Sequence, residues 1–321
     1  MTIPVINRMY NKHQTVSQKG IALVLVLWIL SLLTILAAGY SHMMRTETRL
    51  TANLVHAAKA SALAEAGIWY TIAELLKPQD DNQWKADGSH HMININQDTV
   101  RISIHSEAGK INLNLAQPEL IEGLLRSISV PENELPALVN AILDWRDQDN
   151  SVRQEGAEDE QYKNLDYDFG AKDGPFNTID ELQLVMGITP ALFKKMEPAL
   201  TIYSSQPGID IQTAPRAALL ALPGQSEERV DEILATRMDS PDTDTPVELT
   251  DIDPRLLARA KGQIFTITSE GTYANSYSRL DVVIMLIKKT TLNQPYAILS
   301  WREDHARDQE ELLSTTGLNT G

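Results

Sequence analysis

The hydrophobic positions of this chain form one unbroken run near the start and then settle into two alternating periods. Ile21 to Tyr40 is twenty residues without a charge. At 1.5 Å per residue a helix of that length spans about 30 Å, the hydrocarbon thickness of a bilayer. Ser31 and Thr34 lie inside the run, and a helix returns such hydroxyls to its own carbonyls. From Ser41 to Lys77 an apolar stripe continues at three- and four-residue intervals through Leu50, Leu54, Ala57, Ala64, Ile68, Ile72 and Leu75. One helix is therefore expected from Ile21 to Lys77, ended by Pro78.

Period two follows. Ile93 and Ile95, then Val100, Ile102 and Ile104, alternate with polar residues around a turn at Asn96-Gln97-Asp98, and Ile111 to Asn114 continues the extended reading. From Ala116 the period becomes helical, with short amphipathic segments at Pro118–Ser127, Glu134–Trp145, Thr178–Met186, Thr189–Met196, Ala214–Leu222, Ser226–Met238 and Asp253–Ala260. Strand alternation returns at Gln263–Thr268, Ser278–Ile287 and Tyr296–Trp301, with Gly271 and Asn275-Ser276 read as a turn. Strands on both sides of a long helical stretch predict a single sheet packed on the first helix and interrupted by an all-α insertion. The expected organisation is a leader (1–20), a membrane and spine helix (21–77), a first α/β part (78–115), two helical subdomains (116–205 and 206–260), a second α/β part (261–301) and a tail (302–321). The fold class is α+β.

Charge adds orientation. Arg8, Lys12 and Lys19 precede the apolar run with no acid among them, which predicts a cytoplasmic N-terminus and everything after Tyr40 on the far side. A cleaved signal peptide is the alternative, although its apolar region is usually shorter, about 7–15 residues. The 321-residue chain is acidic overall, with a formal net charge of −15, which disfavours nucleic acid as a partner. It has no cysteine, so no disulfide holds the domains.

The basic leader ending in Gly20, the apolar helix and the helical insertion resemble the type IV pilin-like class. Lys110-Ile111-Asn112-Leu113-Asn114, Leu143-Asp144-Trp145-Arg146-Asp147-Gln148-Asp149, Gly156-Ala157-Glu158-Asp159, Gly174-Pro175-Phe176 and Asp180-Glu181-Leu182 narrow this to a resemblance to the general secretion pathway protein K family, minor pseudopilins of type II secretion systems. The resemblance implies cleavage between Gly20 and Ile21 by a prepilin peptidase and N-methylation of Ile21. It also implies an inner-membrane anchor with a periplasmic domain, and as partners the other minor pseudopilins in a ternary tip complex, the major pseudopilin and the inner-membrane assembly platform. Most pilin-like subunits carry a glutamate five residues after the cut, where this chain has Leu25. A buried glutamate needs a neighbour's amino group, so its absence suits a subunit with nothing above it, at a filament tip.

Asp147, Asp149, Ser151, Arg153, Glu155 and Glu158 occupy positions 1, 3, 5, 7, 9 and 12 of a twelve-residue stretch, a spacing that suits the oxygen ligands of calcium. Val152 stands where an EF-hand has its turn glycine, so an irregular site is expected. Asp147, Asp149, Ser151, Glu155, Glu158 and Asp159 are the candidate ligands, with a backbone carbonyl available at Arg153. Calcium binding by family members in this region is part of what the resemblance implies. A solvated acidic loop is the alternative.

Two stretches, Asp210 to Gly224 with the helix after it, and Leu184 to Ile188, look like helix-hairpin-helix or SAM-like units. Glu227 and Glu228 follow the first, so a packing role is expected rather than phosphate binding. The seven histidines show no ligand spacing, and no nucleophile-elbow or phosphate-loop pattern occurs. The chain is read as a non-enzyme, with a membrane-anchored periplasmic hydrolase or a nucleic-acid binder as the alternatives.

Overall fold

The computed structural model describes residues 19–77, 84–239, 251–258, 263–287 and 294–304. The chain divides into two compact units, 1–55 and 56–321. Its first element is helix α1 (Lys19–Leu75), 57 residues long. It stops two residues short of the expected end, as Pro78 disfavours helical backbone in the residue before it.

In the first unit every large apolar side chain from Ile21 to Leu36 is exposed, and the segment is long and apolar enough to cross a membrane. Ser31 and Thr34 each donate to the carbonyl four residues back, Leu27 and Leu30, at 2.8 Å.

The second unit begins with the last turns of α1 and the hairpin β1 (Asp87–Ile95) and β2 (Asp98–Ser106). Then come β3 (Ile111–Asn112), α2 (Pro118–Ser127), α3 (Leu135–Arg146), α4 (Asp159–Asn164), α5 (Pro190–Met196), β4 (Leu200–Thr201), α6 (Arg216–Leu220) and α7 (Glu227–Asp239). The chain returns to strand with β5 (Ile264–Tyr273), β6 (Ser276–Leu286) and β7 (Tyr296–Asp304). Five strands make one antiparallel sheet in the order β1-β2-β5-β6-β7. The helical segment is thus an insertion between two neighbouring strands of one sheet, as the alternation predicts.

One sheet face is apolar. Val100, Ile102, Ile104, Ile267, Leu280, Val282 and Ile284 form a buried cluster with Ala64, Ile68, Ile72 and Leu75 of α1. The helix comes close because small residues meet. A Cβ on Gly271 would collide with the backbone of Ala60 and Ala64, and one on Gly67 would overlap Ser269. The local pattern assigns Gly271 to a turn, and the structure corrects this. Gly271 lies inside β5, and the turn is at Ala274-Asn275, where Ala274 has φ 50°. Turn chemistry and close approach both select glycine, and only packing separates them.

The insertion departs from the expectation in four ways. Ile111–Asn112 leaves the large sheet and pairs in parallel with Leu200–Thr201, so the insertion is not purely helical. Ile111 and Leu113 belong to its core rather than to the α/β part. Segments 116–205 and 206–260 share one hydrophobic cluster, from Ile111 to Leu256, instead of making separate cores. Thr178–Met186 contains only a 3-10 turn at Ile179–Leu184, and Asp253–Ala260, of which residues 259–260 lie outside the described residues, holds a 3-10 turn at Pro254–Leu256. Beyond the insertion, Arg302–Asp304, expected in the tail, extends β7, and Arg302 pairs with Glu197 of the insertion at 3.5 Å.

A buried charge joins insertion to sheet. Glu107 receives Lys110 Nζ at 2.6 Å and Thr266 Oγ1 of β5 at 2.5 Å, while Thr201 of β4 donates to its other oxygen. Fully partnered, such a carboxylate fixes geometry; left unpartnered it is costly.

Gly271→Val is expected to destabilise the second unit by about 1–3 kcal/mol or more through overpacking against α1. Gly39→Ala, at a helical glycine with open space around it, should change nothing. Urea unfolding of the full chain in detergent measures both; equal midpoints would refute the close approach.

Candidate functional site

The acidic stretch lies between two helices. α3 ends at Arg146 and α4 starts at Asp159, so Asp147–Glu158 forms the connection. Periodicity does not foretell α4, because a six-residue helix is too short to show a stripe.

Four consecutive residues of the motif anchor four surroundings. Leu143 enters the core of the insertion. Asp144 is fully buried and gathers the loop, accepting from the backbone N–H of Ala157 at 2.8 Å, the N–H of Arg153 at 3.3 Å and Arg153 Nη1 at 2.6 Å. Gly156 is required here because a Cβ would collide with the Asp144 carboxylate. Trp145 packs among aromatic rings, with centroids 5.9 Å from Tyr162 and 6.3 Å from Phe169 and Phe176. Arg146 reaches the carbonyls of Leu113 at 2.5 Å and Ala116 at 2.8 Å. Tyr162 closes the aromatic layer, accepting the Met186 N–H at 2.9 Å, and its burial pushes the phenol up to about 12.

The candidate ligands fall into three groups. Asp149, Ser151 and Glu155 are exposed. Asp149 accepts the Ser151 N–H at 2.9 Å, and hydrogen bonds from Ser151 hold its carboxyl below the ordinary range, while Glu155 sits in a turn at φ 62°. Asp159 is half-exposed on α4, 3.7 Å from Lys163. Asp147 and Glu158 face inward: one Asp147 oxygen bonds Arg153 and the other is buried without a partner, as are both oxygens of Glu158, which is 3% exposed. Asp173, outside the twelve-residue stretch, adds another buried oxygen without a partner. The Arg153 carbonyl, the expected position-7 ligand, is used inside the loop by the Gly156 N–H at 2.9 Å.

Electrostatics mark the centre. Glu158 is pushed up to about 7 by burial, then by the charges of Asp144, Asp173, Asp147 and Asp149. Asp173 is raised by burial and by Asp159, Asp147 and Asp149. Among the described residues no three carboxylate or imidazole groups already converge at ligating distance. Asp147, Glu158 and Asp173 each present a buried oxygen without a hydrogen-bond partner, the donor type that a hard cation takes.

The other candidate positions are simpler. Gly20-Ile21 opens α1, while residues 1–18 of the leader lie outside the described residues. Leu25 is exposed on the apolar segment. At the Leu222–Gly224 hairpin Arg216 pairs with Asp231 and Glu227, and nearby Arg126 pairs with Glu122 and Glu132.

A membrane-length apolar segment that continues as the helix of an antiparallel sheet is a pilin-like fold. The family model for type II secretion system (T2SS) protein K matches residues 93–205. Type II secretion system protein K of Pseudomonas aeruginosa is 25% identical over 242 residues, 67% of this chain and 72% of that protein. The protein of the same name from Aeromonas hydrophila is 26% identical over 206 residues, covering 56% of this chain and 62% of its own length, and that of Klebsiella pneumoniae 27% over 235, covering 64% and 69%. A chain from the crystal structure of the GspK-GspI-GspJ complex of the enterotoxigenic Escherichia coli type 2 secretion system shares the fold, with a TM-score of 0.53 and 18% identity, over 82% of this chain and 99% of that one. The chain resembles type II secretion system protein K in its family-model match, in its relatives and in its fold.

Ionising Glu158 opposes folding, because its folded value (about 7) lies above the ordinary 4.5. In chelator its contribution to stability is therefore greatest below about 4.5 and is lost as pH rises to about 7. Glu158→Gln should remove that slope and raise the melting temperature at pH 8. Parallel pH profiles of the two proteins would rule this out.

Proposed function

We propose that this chain is a minor pseudopilin of the type II secretion system that caps the tip of the periplasmic pseudopilus and helps start its assembly for export across the outer membrane. The observation that carries the reading is the family match joined to the apolar α1 with Leu25 in place of a glutamate. In this mechanism the apolar segment of α1 holds the subunit in the inner membrane, N-terminus cytoplasmic, until prepilin peptidase cuts between Gly20 and Ile21 and Ile21 is N-methylated. Contact with lipid is then exchanged for contact with partner helices. With no acid at Leu25 the subunit has no demand for an amino group above it. A complex with two other minor pseudopilins is supported by the related crystal structure, an assembly of three components, GspK, GspI and GspJ. The major pseudopilin, the assembly platform and the peptidase complete the partners.

Calcium is the proposed structural ion. Asp147, Glu158 and Asp173 would hold it, and the ion would neutralise carboxylates that the fold buries together. The acidic loop would then be a clamp between α3 and α4.

Two measurements test these readings. Labelled subunit in purified pseudopili is expected at one end only, and its repetition along the filament would overturn the tip assignment. Removing calcium from the full chain should lower the melting temperature by about 5 °C, the scale set by binding well above the dissociation constant. An unchanged melt would reject the ion.

A further inference from the structure

The five-stranded sheet ends in β1 on one side and β7 on the other, and only β7 is guarded. Its register with β6 slips between Val283 and Ile284, and it finishes in Arg302, Glu303 and Asp304, the bulge and charges by which an edge resists a further strand. From Gly88 to Ile95, β1 has no Asp, Glu, Lys or Arg. Its irregularity is confined to the start, between Asp87 and His90, and residues 90–95 pair with 98–103 without a break. Burial lowers the pKa of His90 and His91, with Arg101 adding to the effect at His90, so neither histidine charges the edge at neutral pH.

Hairpin geometry tells which groups are open. Ile95 and Asp98 close a two-residue turn, and the closing pair of such a turn is hydrogen bonded. Alternation then points the N–H and C=O of His91, Ile93 and Ile95 at β2, and those of His90, Met92 and Asn94 away from it. Among the described residues no main-chain group meets this outer row. His91 pairs with Ile102 and so shares the sheet face covered by α1. There Trp84 stacks on it at 4.2 Å, and Tyr70 of α1 lies 5.7 Å from Trp84. An aromatic wall thus stands on one face of the open edge, and Met92, 64% exposed, stands on the other.

We propose that the outer edge of β1 receives an uncharged strand with alternating apolar residues from one of the other minor pseudopilins, extending the sheet past β1. This rests on the minor-pseudopilin reading above and adds the surface and the backbone form of the partner. The chemistry of the edge selects its occupant. A row of main-chain donors and acceptors is satisfied in register only by extended backbone, because a helix spends these groups on itself. The side chains of an added strand alternate between the Trp84 face and the Met92 face. A charge on the first would lose its water against aromatic rings with no counter-charge to meet it. At a tip that holds one such subunit, a second copy is not at hand.

The test is hydrogen–deuterium exchange of the full chain in detergent, alone and co-purified with the other two minor pseudopilins of the same system, with binding of Met92→Pro and Met92→Ala measured alongside. The Met92 and Asn94 amides are expected to exchange fast in the chain alone and at least about tenfold more slowly in the complex. Proline removes an outward N–H and spares the β1–β2 ladder. Met92→Pro should therefore bind at least about tenfold more weakly, while Met92→Ala, which keeps the N–H, stays within about twofold. Equal loss in both variants, or none in either, overturns the proposal. A complex in which exchange at Met92 and Asn94 is unchanged overturns it too and leaves the pseudopilin reading standing. No complex at all defeats both. Slow exchange in the chain alone, together with a dimer in solution, gives the edge to a second copy and overturns the proposal. Should Met92→Pro fail to fold, Asn94→Lys, which puts a charge on the edge and keeps the ladder, takes its place with the same expectation.

Discussion

The approach of α1 to β5 is the contact on which the second unit depends. Gly271 in the strand faces the backbone of Ala60 and Ala64, and Gly67 in the helix faces Ser269. Without side chains there, Ile68, Ile72 and Leu75 can reach Val100, Ile102, Ile267 and Val282. Burial of such side chains is worth about 25 cal/mol per Å² of apolar surface, and all of it depends on a distance set by two glycines and two alanines. A sheet held on one face also fixes the insertion. Ser106, at the end of β2, pairs with Phe265 of β5, so the intervening chain leaves and returns on neighbouring positions of one ladder. An insertion closed this way adds little entropic cost as it lengthens, which suits it to carry a core of its own.

Within the insertion the same economy is built around a carboxylate. Asp144 collects two backbone amides and a guanidinium, and the connection between α3 and α4 is wound about it. Loop polarity that would defeat packing elsewhere is satisfied by the loop itself, except at Asp147, Glu158 and Asp173. Buried acceptors without donors are rare in folded proteins, which makes these oxygens the candidates of the region.

The helix α1 meets two environments within one element. From Ile21 to Leu36 its apolar residues surround the axis and are exposed, the pattern of a helix whose solvent is lipid. From Ala60 to Leu75 they form a single buried stripe, the pattern of a helix with one partner. The change in periodicity is written in the order of the residues, and it makes the pilin-like architecture legible in the sequence.

Periodicity is a local property, and what it encodes the sequence determined by itself: the apolar segment, the α1 stripe, the alternation of β1, β2, β5, β6 and β7, and the placing of a helical stretch between strands. The motif from Leu143 to Asp149 marks the right loop. Which oxygens in that loop matter is decided by tertiary structure. Regular spacing selects Asp149, Ser151 and Glu155, which the fold leaves exposed, and passes over Asp144, which does not sit in that register. Ile111–Asn112 looks like one more strand of the large sheet, and only its pairing with Leu200–Thr201, far along the chain, assigns it elsewhere. Gly271 reads as a turn for the same reason. Each residue's preference is local, whereas burial and partnership belong to pairs of residues distant in the chain, and these decide which preference is expressed.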